Sequence, residues 1–283
     1  MNFKKLGVWA TLVFFAFLLP GALFADTNCD DGASPLNSAA PRGITAEEVI
    51  QKFAAKEAIF REARNNYTYT QDITVQTLEG NTVDGEFRRV EDITYDDKGT
   101  RIEYVTFAPQ PTLTRIGLTK EDEDDFRNRL PFVLTTQDLP QYSVLYAGQQ
   151  HVDEIDTYVF DLAPKQIEKG KRYFQGRIWV DNHDFQIVKT CGRNVPDTHA
   201  KKRNEQENLT PKFVTYREQI DGQYWFPTYT RADDVLHFNN GDIHVREIIK
   251  YTRYKRFGSK TKITYEGVTQ PDKNAPPSPP KKP

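Results

Sequence analysis

From Tyr67 onward the chain is a succession of short segments in which apolar and polar residues alternate, each closed by a turn signal. Such a pattern folds as antiparallel sheet. In Tyr67–Leu78 the residues Tyr67, Tyr69, Ile73 and Val75 share one face, and Thr68, Thr70, Asp72 and Thr74 share the other. Glu79-Gly80-Asn81 turns the chain into a strand over Glu86–Tyr95, and Asp96-Asp97-Lys98-Gly99 returns it through Arg101–Phe107. Ala108-Pro109-Gln110-Pro111 ends that meander. Further strands are predicted over Tyr142–Ala147, Thr157–Leu162, Arg172–Asp181 and Phe185–Thr190, with Asp181-Asn182-His183-Asp184 as a tight turn. A polar loop from Gly192 to about Thr210 precedes Phe213–Ile220, Tyr224–Ala232, Val235–Phe238, Ile243–Arg253 and Lys260–Tyr265. Asp221-Gly222 and Asn239-Asn240-Gly241 are hairpin turns. About ten or eleven strands joined in this way twist and curl into a curved sheet. The 14 Tyr and 18 Phe, set among 28% charged residues, suit strands with one wet and one apolar face.

Two stretches depart from the period of two. Thr45 and Glu48 have the spacing of a capping box, and Val49, Ile50, Phe53, Ala54 and Phe60 recur at helical intervals. An amphipathic helix is therefore predicted to about Ala63. A shorter helical piece is predicted from about Lys120 to Arg129, capped by Thr119. The acids Glu121 to Asp125 fall in its first turns, where the helix dipole favours negative charge. The expected class is mainly β (α+β), with both helices covering the apolar concave side of the sheet.

The N-terminus reads as an export signal. Lys4 and Lys5 precede the apolar run Leu6–Leu19, Pro20-Gly21 breaks it, and Ala25 offers a small residue for cleavage. Leu23 is large for its place before the cut, and the run through Phe24 is long enough for a retained anchor, so both outcomes stay open. Cleavage leaves 258 of 283 residues. Cys29 follows Asp26-Thr27-Asn28 rather than a small-residue box, so no lipid anchor is expected. Cys29 and Cys191 are the only cysteines, and in an oxidising compartment they either pair or stay apart. Residues 26–42 read as a disordered leader and 268–283 as a disordered Pro/Lys-rich tail, leaving 43–267 as the folded domain. A net charge of −2 gives no general attraction to nucleic acid, and a monomer is expected.

A resemblance adds to this. Asn66-Tyr67-Thr68-Tyr69-Thr70-Gln71 follows the helix, and Leu130-Pro131-Phe132-Val133-Leu134 forms an apolar mid-chain segment. Tyr158-Val159-Phe160-Asp161-Leu162-Ala163-Pro164-Lys165 then precedes Arg177-Ile178-Trp179-Val180-Asp181 and Ile187-Val188-Lys189. Over about residues 45 to 265 this order resembles the LolA/LolB-like superfamily, the outer-membrane lipoprotein-sorting proteins. The resemblance implies a half-open β-barrel in the periplasm that binds lipid or lipoprotein acyl chains. Phe87-Arg88-Arg89-Val90-Glu91-Asp92 lacks the Arg-Pro of the carriers' gating segment, so that role does not transfer. The stretch Phe87–Tyr104 is similar to the lipid-sensing half of periplasmic anti-sigma regulators. An envelope sensor that binds a membrane-protein partner is therefore the alternative.

The candidate lining residues for an acyl chain are Tyr69, Ile73, Val75, Phe107, Phe160, Leu162, Phe174, Ile178, Val180, Phe185 and Ile187. Their bland reading is ordinary core filling. Each methylene buried in such a site is worth about 0.8 kcal/mol. No enzyme is expected. His237 and His244 with Asp242 make an incomplete metal set, no Ser sits in a Gly-x-Ser-x-Gly elbow, and Glu121–Asp125 lacks the spacing of a calcium loop. No metal and no cofactor are expected. The basic residues Arg246, Lys250, Arg253, Lys255, Arg256, Lys260 and Lys262 read either as a guard on an edge strand or as a patch for phosphate headgroups or an acidic partner. The sequons at Asn66 and Asn208 matter only in a eukaryotic secretory pathway.

Overall fold

The computed structural model describes residues 28–129, 132–200 and 207–257. The predicted signal 1–25, Leu130 and Pro131, the strand Lys260–Tyr265 with Lys260 and Lys262, and the tail 268–283 lie outside the described residues. The capping box closes at Thr45: its hydroxyl accepts the Glu48 amide, and the Glu48 carboxylate accepts the Thr45 amide at 2.8 Å. Helix α1 (Ala46–Ala63) starts there and buries Val49, Phe53, Ala54 and Phe60, with Ile50 half-buried beside them. A second capping box at Thr119 and Asp122 starts α2 (Lys120–Asp124), which widens into a π-helical turn over Asp125–Arg129.

Among the described residues, ten strands make one antiparallel sheet. In chain order they are β1 (Tyr67–Glu79), β2 (Thr82–Tyr95), β3 (Arg101–Phe107), β4 (Tyr142–Val152), β5 (Ile155–Pro164), β6 (Tyr173–Asp181), β7 (Ile187–Val195), β8 (Phe213–Ile220), β9 (Tyr224–Phe238) and β10 (Gly241–Arg256). Their order across the sheet is β3-β2-β1-β10-β9-β8-β7-β6-β5-β4. The sheet stays open, with β3 and β4 as its edges, and α1 packs on its apolar side.

Two predicted strands, Tyr224–Ala232 and Val235–Phe238, are one. Asp233 and Asp234 stay in the ladder opposite Arg246 and Val245, and Arg246 holds Asp233 at 2.9 Å, so the acids do not break the strand. β7 runs through the predicted loop start at Gly192. Gly192 lies so close to β6 that a Cβ there would sit 2.2 Å from the Gln175 carbonyl, which requires glycine. β10 is paired on both sides over Gly241–Lys250, so Arg246 and Lys250 guard no edge, whereas Arg253, Lys255 and Arg256 lie where only β1 flanks the strand. Arg246 and Arg253 are held by Asp233 and Asp92.

Residues 28–40 are not a disordered leader. Ala33 bridges Val152, Asn37 bridges Gln149, and Cys29 forms a disulfide with Cys191. This segment covers a second apolar cluster on the convex side, made of Val152, Val159, Trp179, Val188, Cys191 and Val214. Lys189 reaches the Asp31 carbonyl at 2.9 Å while lying over the Trp179 ring. Strands β5 to β7 are thus buried on both faces, which explains why their apolar residues run together instead of alternating.

Candidate functional site

On the concave side, α1 is fastened by a buried ion pair. Arg217 of β8 holds Glu57 of α1 at 3.0 Å, and both side chains are excluded from solvent. The same guanidinium donates to the Phe132 carbonyl, so the mid-chain segment, the helix and the sheet meet at one residue. Around this clasp seven of the predicted lining residues, Ile73, Phe160, Leu162, Phe174, Ile178, Val180 and Ile187, are buried in a packed core. Phe53 of α1 lies 5.6 Å from the Phe160 ring, and Phe132 stacks on Phe174 at 4.4 Å.

The other four predicted residues separate. Phe107 sits on the edge strand β3, 49% exposed, with Arg88 over its ring. Phe185 is in a turn with φ 59°, outside any strand, half-buried and facing Lys52. Tyr69 stacks on Tyr254 at 5.1 Å, accepts a hydrogen bond from Arg101 at 2.7 Å, and borders a cavity of about 370 Å³. Val75 borders a larger one.

That larger cavity, of about 570 Å³, is lined in part by residues of the same core cluster. Its apolar wall is made by Val75 of β1, Phe126 of the π turn, Leu209, Phe213 of β8, Leu236 of β9 and Val245 of β10. The polar groups on it are the less expected feature. Along β10 the inward positions are Ile243, Val245, Glu247, Ile249 and Tyr251, all buried, and Glu247 is the one acid in that row. Burial, and after it the nearby Asp122 and Asp125, push its carboxyl up to about 8. Asp122 is itself pushed up by burial, although the Thr119 cap and Asn208 bind it. Asp125 is held by Arg172 at 2.9 Å. The cavity also takes in Asn194 of β7 and Thr210.

Three buried polar groups on this wall are unsatisfied among the described residues: both amide atoms of Asn194, the Thr210 hydroxyl, and Glu247 Oε1. Such groups cost stability unless something binds them. Glu247 is absent from the residues predicted by apolar alternation; its signal is a carboxylate in phase with Val245 and Ile249. Asn194 and Thr210 had no signal, being assigned to a loop. Asn208, one of the sequons, is buried and bonds Thr119 and Arg172.

The histidines do not converge. His237 faces Asp242 at 2.8 Å on the surface, whereas His244 bonds Asp233. Among the described residues no three His, Cys, Asp or Glu side chains group to hold a metal ion.

No family model and no curated protein matches the chain. Among solved structures it is similar to a DUF1329 family protein from Desulfovibrio piger at 14% identity and a TM-score of 0.36, covering 75% of this chain and 95% of that one. It is similar to a putative outer membrane lipoprotein-sorting protein domain from Vibrio parahaemolyticus at 13% identity and a TM-score of 0.35, covering 74% and 93%. A structure of the Pseudomonas aeruginosa MucA/MucB complex is matched at 9% identity and a TM-score of 0.21, covering 72% and 100%. These superpositions are loose, and function has to be read from this chain's own residues.

Proposed function

We propose that the chain is a periplasmic binder and carrier of lipid or lipoprotein acyl chains that works without covalent chemistry. The observation that carries this reading is the cavity of about 570 Å³ walled by Val75, Phe126, Phe213 and Leu236. Its size lies within the usual range for small-ligand sites, roughly 300–1,000 Å³. An acyl chain gains about 0.8 kcal/mol per methylene it buries, so apolar walls suffice for binding. The signal-like N-terminus and the Cys29–Cys191 disulfide suit an oxidising compartment outside the cytoplasm.

The test is mass spectrometry of lipid co-purifying with the protein, together with titration of a fluorescent fatty-acyl probe. Leu236→Trp, which fills the cavity from β9, should weaken probe binding at least tenfold while the fold is kept. Protein that is reproducibly empty and does not bind the probe would sink the proposal.

A second reading, an envelope module that docks a membrane-protein partner, is favoured by β3. This edge strand exposes Tyr104, Val105 and Phe107 beside a backbone edge that no strand pairs among the described residues. Exposed apolar edges are sites where another chain can add a strand.

A further inference from the structure

The larger cavity has a chemical bias that an acyl-chain site does not need. Its wall is apolar where Val75, Leu236 and Val245 line it, and Glu247 is buried beside them at 7% exposure with Oε1 unsatisfied. The charged groups around Glu247 come from several elements. Asp122 belongs to α2 and Asp125 to the π turn that follows it, while Glu207 lies on the segment before β8. Of the cations nearby, Arg172 is committed to Asp125, and Arg115 at the wall is committed to Asp84 at 2.8 Å and to the Leu78 carbonyl at 2.7 Å. Neither reaches Glu247. Glu207 is taken up by the Asn239 amide and His199.

Across the sheet, Asn194 is fully buried with neither amide atom bonded, and Thr210, which lines the same cavity, has an unsatisfied hydroxyl. Three strand steps separate β10 from β7. The polar groups therefore lie at two places on the wall, with apolar surface between them.

We propose that this cavity selects an amphiphile whose head is a primary ammonium, held at Glu247, with Asn194 and Thr210 bonding a second polar group along its body. The inference rests on the lipid-binding reading and sharpens it by naming the head group. An ammonium brings three donors and a positive charge to a wall that has acceptors and a surplus of acids. A carboxylate or phosphate head would meet Glu247, Asp122 and Asp125 with no uncommitted cation among the described residues, and is disfavoured.

Occupation by an ammonium also restores the charge of Glu247. The empty cavity holds its carboxyl protonated at neutral pH, because burial and the two aspartates oppose ionisation. An ammonium beside it reverses that preference, so binding near pH 7 should release about one proton.

Isothermal titration of the whole protein with decylammonium, decanol and decanoate, each below its micelle threshold, tests this. Decylammonium should bind at least tenfold more tightly than decanoate, and between pH 6 and 8 its affinity should rise up to about tenfold per pH unit. Decanol should show no such rise. Heats measured in buffers of different ionisation enthalpy should report the released proton. Glu247→Gln should remove both the proton release and the advantage of the amine over the alcohol.

Decanoate binding as tightly as decylammonium, or an amine affinity flat with pH, overturns the inference. If Glu247→Gln fails to fold, the pH series on the native protein still decides. Should none of the three probes bind, the lipid-binding reading falls with it. If decanol and decanoate bind and the amine has no advantage, the head-group assignment alone falls.

Discussion

Glu247 occupies a place where the alternation of β10 calls for a hydrophobe, and its titration has a direction that can be measured. Its folded-state pKa of about 8 lies above the ordinary 4.5. Between those values the folded protein keeps a proton that the unfolded chain has released. Stability from this residue is therefore full below about pH 4.5 and falls as pH rises to about 8, by an amount on the order of a few kcal/mol. Urea unfolding from pH 5 to 9 should show Glu247→Gln equal to the native protein at the acid end and more stable at the alkaline end. A constant difference across that range would mean that Glu247 is ionised throughout. The packed-core residues behave differently. Ile178 is completely buried, so a charge placed there has no solvent and no partner.

At the scale of elements, the placement of α1 depends on one buried pair. Glu57 is in phase with Phe53 and Phe60 on the helix's apolar stripe, and Arg217 from β8, with the Ile187 amide, makes that burial tolerable. Arg217→Met should destabilise by about 3–5 kcal/mol, because it strands the Glu57 carboxylate in the core. Adding Glu57→Leu to that variant should recover most of the loss, as measured in a double-mutant cycle by urea unfolding. Failure to recover would mean that the Arg217 contacts to the Phe132 and Ile187 carbonyls matter more than the ion pair. The convex side has its own fastening. The 28–40 segment is tied by Cys29–Cys191 to β7 and by two bridges to β4, and it covers Trp179.

For the molecule as a whole, the two edges are unlike. The β4 edge is partly covered by the 28–40 segment, whereas β3 carries its apolar residues outward. Val105→Lys, on the exposed side of β3, should leave the thermal midpoint within a few degrees of the native value. It should abolish capture of a membrane-protein partner if the edge is the docking surface, and leave acyl-probe binding at the cavity unaltered. Partner capture that survives this change would remove the reason for the second reading.

The local signals in the sequence were sufficient for the helix start at Thr45, the hairpin turns and most strand positions. They rest on interactions between residues a few positions apart: caps, turn conformations and the two-residue repeat. The ten-strand antiparallel class was legible for the same reason. The sequence did not distinguish cavity wall from core filling, since Phe174 and Phe213 look alike although only Phe213 lines the larger cavity. Nor did it reveal that β10 is internal, that 28–40 is a packed cover, or that Glu57 and Arg217 meet across 160 residues. Those outcomes depend on which distant surfaces exclude water from one another. That is a property of the assembled sheet, decided only when β1 pairs with β10 and the helix settles on the face between them.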